Sequence, residues 1–182
     1  ADAMVTMVEW IALRKGIGDL LAEGVMRAAE KIGGKANYFA LHVKGQELPM
    51  HEPRGKYNVG MGYAISEIGA DHLVVAHDGM LANAEGIPFK NAKPLGITEP
   101  QPVLSLNDEK MRQFYILEKV TSFEKVIGYC FFGPAPRSYI LMDEVIDSVN
   151  AATDWDITLD DLLEIGERAT NMARVFNARE GF

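Results

Sequence analysis

The chain has 182 residues, 48% of them hydrophobic, which suits one good-sized core or two small helical subdomains and excludes a disordered segment. Its net charge is -8, and no Lys/Arg cluster forms a basic stripe, which excludes nucleic acid and an anionic membrane surface as partners. A single cysteine precludes an intrachain disulfide framework, no run approaches the roughly 18 to 20 apolar residues of a membrane span, and ADAMVTMVEW lacks the basic start of a signal peptide. The expectation is a cytoplasmic protein with no membrane partner.

Met4, Val8, Ile11 and Ala12 fall at helical spacing, predicting a helix over 2–14. Asp19 is then expected to cap a second helix with Leu21, Val25, Ala28, Ala29 and Ile32 on its apolar face, stopped by Gly33-Gly34, giving a helical hairpin. The stretch GIGDLLAEG has Leu21 where a dinucleotide loop needs its third glycine, and no strand precedes it, so a dinucleotide site is rejected. Residues 38–43 are rich in β-formers and Lys44-Gly45 supplies a turn, predicting a short extended segment.

A glycine- and proline-rich loop leads into a helix over 57–68. Residues 77–104 contain Pro88, Pro94, Pro100 and Pro102 and are expected to form a surface excursion or lid. They are also the candidate boundary between a first helical part, 1–76, and a second, 105–182. From Asn107 the helical pattern resumes, with a break expected near Ser122, and further helices are expected over about 140–151 and from Thr158, where Thr158-x-x-Asp161 approximates a capping box. The pattern is mainly α. Both ends read as cut, since the chain opens without Met inside an apolar-periodic segment and stops where a helix ends on Gly181.

Four histidines are present: His42, His51, His72 and His77. None pairs at the i, i+4 spacing of a helical metal clamp, although His72 and His77 lie five apart. His72 follows Gly69-Ala70-Asp71 at the end of an expected helix, where an imidazole projects into a cleft as a proton donor or simply caps the helix. His42 and His51 read as structural or solvent-facing. Arg54 suits an acid or phosphate ligand, and equally a local ion pair with Glu47 or Glu52. The acidic run from Asp154 to Glu164 lacks the central glycine of a calcium loop and reads as a solvated face. Cys130, in KVIGYCFF, is compatible with a buried structural cysteine and with one ligand of a metal site.

Five strings, GIGDLLAEGVMRAAEKIG, VKGQELPMHEPRG, GMGYAISEIGADH, IGYCFF and AATDWDITLDDLLEIGERATNMARVFNAREGF, together resemble the two helical C-terminal domains of the aldehyde ferredoxin oxidoreductase family of tungstopterin enzymes. They occur in the family's order, and the likeness is weakest over 77–104. The resemblance implies an all-α, multihelical fold with at most a short β segment. It also implies tungsten, or molybdenum in its place, held by two pterins, a [4Fe-4S] cluster, oxidation of aldehydes to carboxylic acids, and ferredoxin as electron acceptor.

The family pattern Asp-x-x-Gly-Leu-Cys matches Lys125 to Cys130. Cys130 is thereby expected to be the fourth cluster thiolate, with Lys125, Gly128 and Tyr129 against a pterin. Lys125 stands where the family has Asp, and Tyr129 where it has Leu; a lysine donates and cannot accept, so the pterin contact must change in kind. The family string Arg-Gly-Ala-Cys-His reads Ile68-Gly69-Ala70-Asp71-His72, which matches His72 to the histidine expected to assist proton transfer near the tungsten. The other three thiolates and the pterin-binding domain lie upstream of these residues, so the chain by itself is expected to be inactive, with faces left free for self-association into a homo-oligomer. Two alternatives stay open: the tungsten subunit of a benzoyl-coenzyme A reductase-like enzyme, and a non-catalytic helical scaffold or docking domain.

Overall fold

The computed structural model describes residues 1–134 and 136–182. Ten α-helices and one two-stranded hairpin account for its regular structure among the described residues, apart from two short 3-10 turns, which bears out the all-α expectation. None of these helices is long and apolar enough to cross a membrane. The chain divides into two compact units, 1–50 with 68–70, and 51–67 with 71–182.

The smaller unit begins with α1 (Asp2–Ala12), α2 (Ile17–Leu21) and α3 (Val25–Ile32). The expected second helix is thus two helices, because Gly24 at φ +83° breaks it, and Asp19 bonds Arg14 at 2.9 Å instead of capping. Glu47 supplies the cap for α3, accepting from the Val25 N–H at 2.7 Å. That bond lowers the carboxyl pKa of Glu47. α1 and α2 approach so closely that a Cβ on Gly18 would overlap the Trp10 carbonyl. Residues expected to be extended from Tyr38 instead form α4 (Ala36–Phe39), and β1 (His42–Val43) pairs antiparallel with β2 (Gln46–Glu47) across the Lys44-Gly45 turn. Few large side chains are buried here: Met4, Val5, Val8 and Leu13 are all exposed.

The larger unit contains α5 (Tyr57–Ile65), α6 (Asp78–Leu81), α7 (Ile87–Ala92), α8 (Asp108–Val126), α9 (Met142–Thr153) and α10 (Leu159–Glu180). Residues 77–104 lie wholly within it and are not a surface excursion, for Leu81, Phe89, Ala92, Leu95 and Ile97 are all buried. Two of their prolines start helical turns instead of ending them: Pro88 in the first turn of α7 and Pro94 in the 3-10 turn Lys93–Leu95. At those positions a missing N–H is harmless.

α8 is the spine of this unit. Leu117 packs with Val75, Leu81, Phe89 and Ile97, while Val120 and Phe123 pack with Met142, Val145 and Leu162. Asn107 caps the helix through the Lys110 N–H at 2.8 Å, and no break occurs at Ser122. The Ser122 hydroxyl lies 2.7 Å from that of Thr170 on α10, and both reach the Glu118 carboxylate, so the polar residue marks a helix–helix contact. α10 opens with the expected Thr158–Asp161 capping box and closes on Gly181 in the left-handed region.

Candidate functional site

After α5 ends at Ile65 the chain runs irregularly through 66–77, and His72 lies in this segment instead of at a helix terminus. The helix-dipole explanation for that histidine therefore lapses. His51 precedes the 3-10 turn Pro53–Gly55, and Tyr63 on α5 holds its carbonyl with a 2.9 Å hydrogen bond. His51, His72 and His77 converge, with ring centroids 4.7 Å apart for the first two, 4.4 Å for the first and last, and 5.9 Å for the remaining pair.

These rings line a cavity of about 360 Å³ together with Lys56, Phe132 and Arg137. His77 Nε2 is 2.8 Å from the His72 carbonyl, an acceptor only, so that nitrogen carries the proton. Lys56 Nζ is 3.5 Å from His77 Nδ1 and 3.1 Å from His51 Nδ1, both of which accept from the ammonium. His51 and His77 are thus neutral, with the proton on Nε2. Burial, then the neighbouring Lys56, His72 and Arg137, lowers the pKa of His51. Burial also leads the lowering at His77, helped by His51 and Lys56 and opposed by its bond to the His72 carbonyl.

The loop after α8 forms the other side of the site. Gly128 has φ +72° and turns the chain out of the helix, Tyr129 is half-buried, and the Cys130 thiol is free and exposed. Exposure removes the buried structural role for this cysteine. Two residues on, Phe132 reaches the histidine cavity, so this loop connects Cys130 to the surroundings of His72. Lys125 lies 3.7 Å from Asp71 and 3.4 Å from Glu67, which ties the end of α8 to the segment carrying His72. Arg54 is paired with Glu52 at 2.8 Å, an arrangement that holds the carboxyl at about 2 and leaves the local ion pair as the role of this arginine.

Among the described residues no group of three or more His, Cys, Asp and Glu side chains is arranged to hold a metal ion. Cys130, free on an accessible loop, offers a single sulfur donor, enough for one position of a metal cluster and no more. The sequence singled out His72 and the Lys125–Cys130 loop, and the two regions meet through Lys125–Asp71 and Phe132. His51, Lys56, His77 and Arg137 were missed as parts of the site. Their separation along the chain gives no local pattern, and only the five-residue spacing of His72 and His77 hinted at the cluster.

The chain belongs to the aldehyde ferredoxin oxidoreductase family: the model of domains 2 and 3 of that family matches residues 1–182. The tungsten-containing aldehyde ferredoxin oxidoreductase of Pyrococcus horikoshii is 36% identical over 173 residues, covering 94% of this chain and 25% of that protein. The corresponding protein of Thermococcus kodakarensis is 34% identical over 176 residues, 96% of this chain and 26% of its own length. An aliphatic sulfonate oxidoreductase, WOR-like subunit, of Pyrococcus furiosus is 28% identical over 180 residues, 95% of this chain and 23% of that subunit. The chain therefore spans about a quarter of the length of these curated relatives.

Proposed function

We propose that this chain is the helical part of a cytoplasmic tungsten- or molybdenum-pterin oxidoreductase that converts aldehydes to carboxylic acids and passes electrons to ferredoxin. The balance is RCHO + H2O → RCOOH + 2 H⁺ + 2 e⁻. The observation that carries the reading is the single loop after α8, which exposes the Cys130 thiol and extends Phe132 into the cavity of His72. In this reading Cys130 holds one iron of the [4Fe-4S] cluster, and Lys125, Gly128 and Tyr129 contact a pterin.

The bound metallopterin supplies the two-electron acceptor and a Lewis acid. The chain's own residues orient and protonate. His72 holds a proton near the aldehyde carbonyl, Phe132 excludes water on one side, and Gly128 lets the backbone turn close to the cofactor. Lys125, already shared between Glu67 and Asp71, donates to acceptors on the pterin ring or its phosphate, a different contact from the acceptor its family's aspartate provides. The remaining cluster ligands and the pterin-binding domain belong to the rest of the protein, and the 182-residue chain alone is inactive.

The test is anaerobic purification of the full-length protein, with metal analysis, EPR and an aldehyde-oxidation assay. About one tungsten and four irons per chain are expected. Cys130→Ser should lower iron content while helicity persists, and His72→Gln should lower aldehyde turnover by roughly 10²–10⁴ with metals retained. Folded protein that binds neither metal would leave the scaffold alternative in its place.

A further inference from the structure

Charge in the histidine cavity is one-sided. Its two basic side chains are Lys56 and Arg137, the remaining titratable groups lining the cavity are imidazoles, and the lining contains no carboxylate. The acids next in sequence to the three histidines are each committed elsewhere, Glu52 to Arg54, Asp71 to Lys125 and the buried Asp78 to Lys110. Among the described residues neither Lys56 nor Arg137 forms an ion pair with a carboxylate. The two hydrogen bonds of Lys56 go to neutral imidazole nitrogens, which satisfy donors but leave the charge uncompensated, and an ammonium carries a third N–H. Arg137 stacks its guanidinium 4.3 Å from the Phe132 ring, an arrangement that engages the face of the group and leaves its N–H edge to bond a planar oxyanion. A metal ion does not suit the same space, since both ring nitrogens of His77 are engaged and two cations stand beside it.

We propose that this cavity recognises an oxyanion carried by the substrate, so that the preferred aldehyde bears a carboxylate a few carbons from its carbonyl. Lys56 and Arg137 are then specificity-determining residues: they bind the remote acid group and thereby place the carbonyl against His72. This inference rests on the aldehyde-oxidising reading for the reaction, but the anion site itself stands on the charges and geometry of the cavity.

The experiment compares an ω-oxo carboxylate with the neutral aldehyde of equal chain length on the full-length holoprotein, as a ratio of kcat/KM values. The ratio should favour the acid. It should fall about tenfold or more in Lys56→Met and in Arg137→Met, and recover in Lys56→Arg, because one direct charge contact to a substrate is worth at least that much. A merely structural role would lower both rates in parallel and leave the ratio unmoved, which overturns the proposal, as does a wild-type ratio that favours the neutral aldehyde. If neither aldehyde is oxidised the functional reading fails, and calorimetric titration with the matching dicarboxylate decides the site separately. Saturable binding that disappears in Lys56→Met upholds the anion site; titration without saturable binding overturns it.

Discussion

Two lysines of the larger unit are held in opposite ways. Lys110 on α8 is buried, lies 2.6 Å from the equally buried Asp78 and donates to the Pro102 carbonyl at 3.1 Å. Asp78 completes its own shell with both oxygens 3.0 Å from the Asn58 N–H. Lys56 stands only 21 residues before His77 in sequence and bonds that ring, yet its hydrogen-bond partners are uncharged imidazoles. The difference teaches which charges belong to the fold. A buried cation must find its anion inside the chain, whereas a half-exposed one can be left for a ligand to complete.

The comparison breaks most severely at Lys110. Lys110→Met takes the cation away from the buried Asp78 carboxyl, and chemical denaturation should register a loss of about 3–5 kcal/mol. Changing Asp78 to Asn in the same background should return part of that loss, because the acid that lost its partner is then gone.

A buried carboxyl gives a pH-dependent test. Glu124 on α8 is buried and, among the described residues, forms no ion pair, and burial raises its carboxyl to about 8. The unfolded chain releases this proton near the ordinary value of 4.5. Between pH 4.5 and 8 the folded state therefore holds a proton that the unfolded state has lost. This group's contribution to stability is full below pH 4.5, falls as pH rises, and levels off above about 8. Glu124→Gln should flatten that decline and gain about 3 kcal/mol near pH 9 relative to the parent, as read from denaturation midpoints across the range.

Packing provides a smaller effect. A Cβ on Gly166 of α10 would overlap the Lys119 carbonyl of α8, so Gly166→Ala must push the two helices apart. Its expected cost is about 1–3 kcal/mol, measurable by thermal unfolding, with the Ser122–Thr170 contact as the nearest casualty.

The legible and illegible parts of this molecule divide by the same physics. Local chemistry wrote the Thr158–Asp161 box and the Lys44-Gly45 turn into a few adjacent residues, and both could be read, as could the return of the helical pattern from Asn107. Gly24 divided α2 from α3 through a backbone conformation that hydrophobic spacing does not encode. The prolines of 77–104 carried two opposite meanings, helix start and helix stop, and only the burial of Phe89 and Ile97 distinguishes them. At the candidate site, Cys130 and His72 stood out because their strings resemble a family, while His51, Lys56, His77 and Arg137 come from three separate stretches whose convergence depends on tertiary structure.

The smallest expected change in stability, and the sharpest contrast with Lys110, is at Lys56. Replacing it with Met removes two bonds to neutral rings at a half-exposed position, so the cost should stay below about 1 kcal/mol. The same substitution removes one cause of the lowered pKa values of His51 and His77, though burial remains the leading cause for both. Their titration midpoints, followed by histidine ring NMR, should move upward toward the ordinary value without reaching it. A stability loss as large as that of Lys110→Met would instead make Lys56 a part of the fold. A small loss with rising histidine midpoints would mean that the fold tolerates the removal of a charge it had left uncompensated.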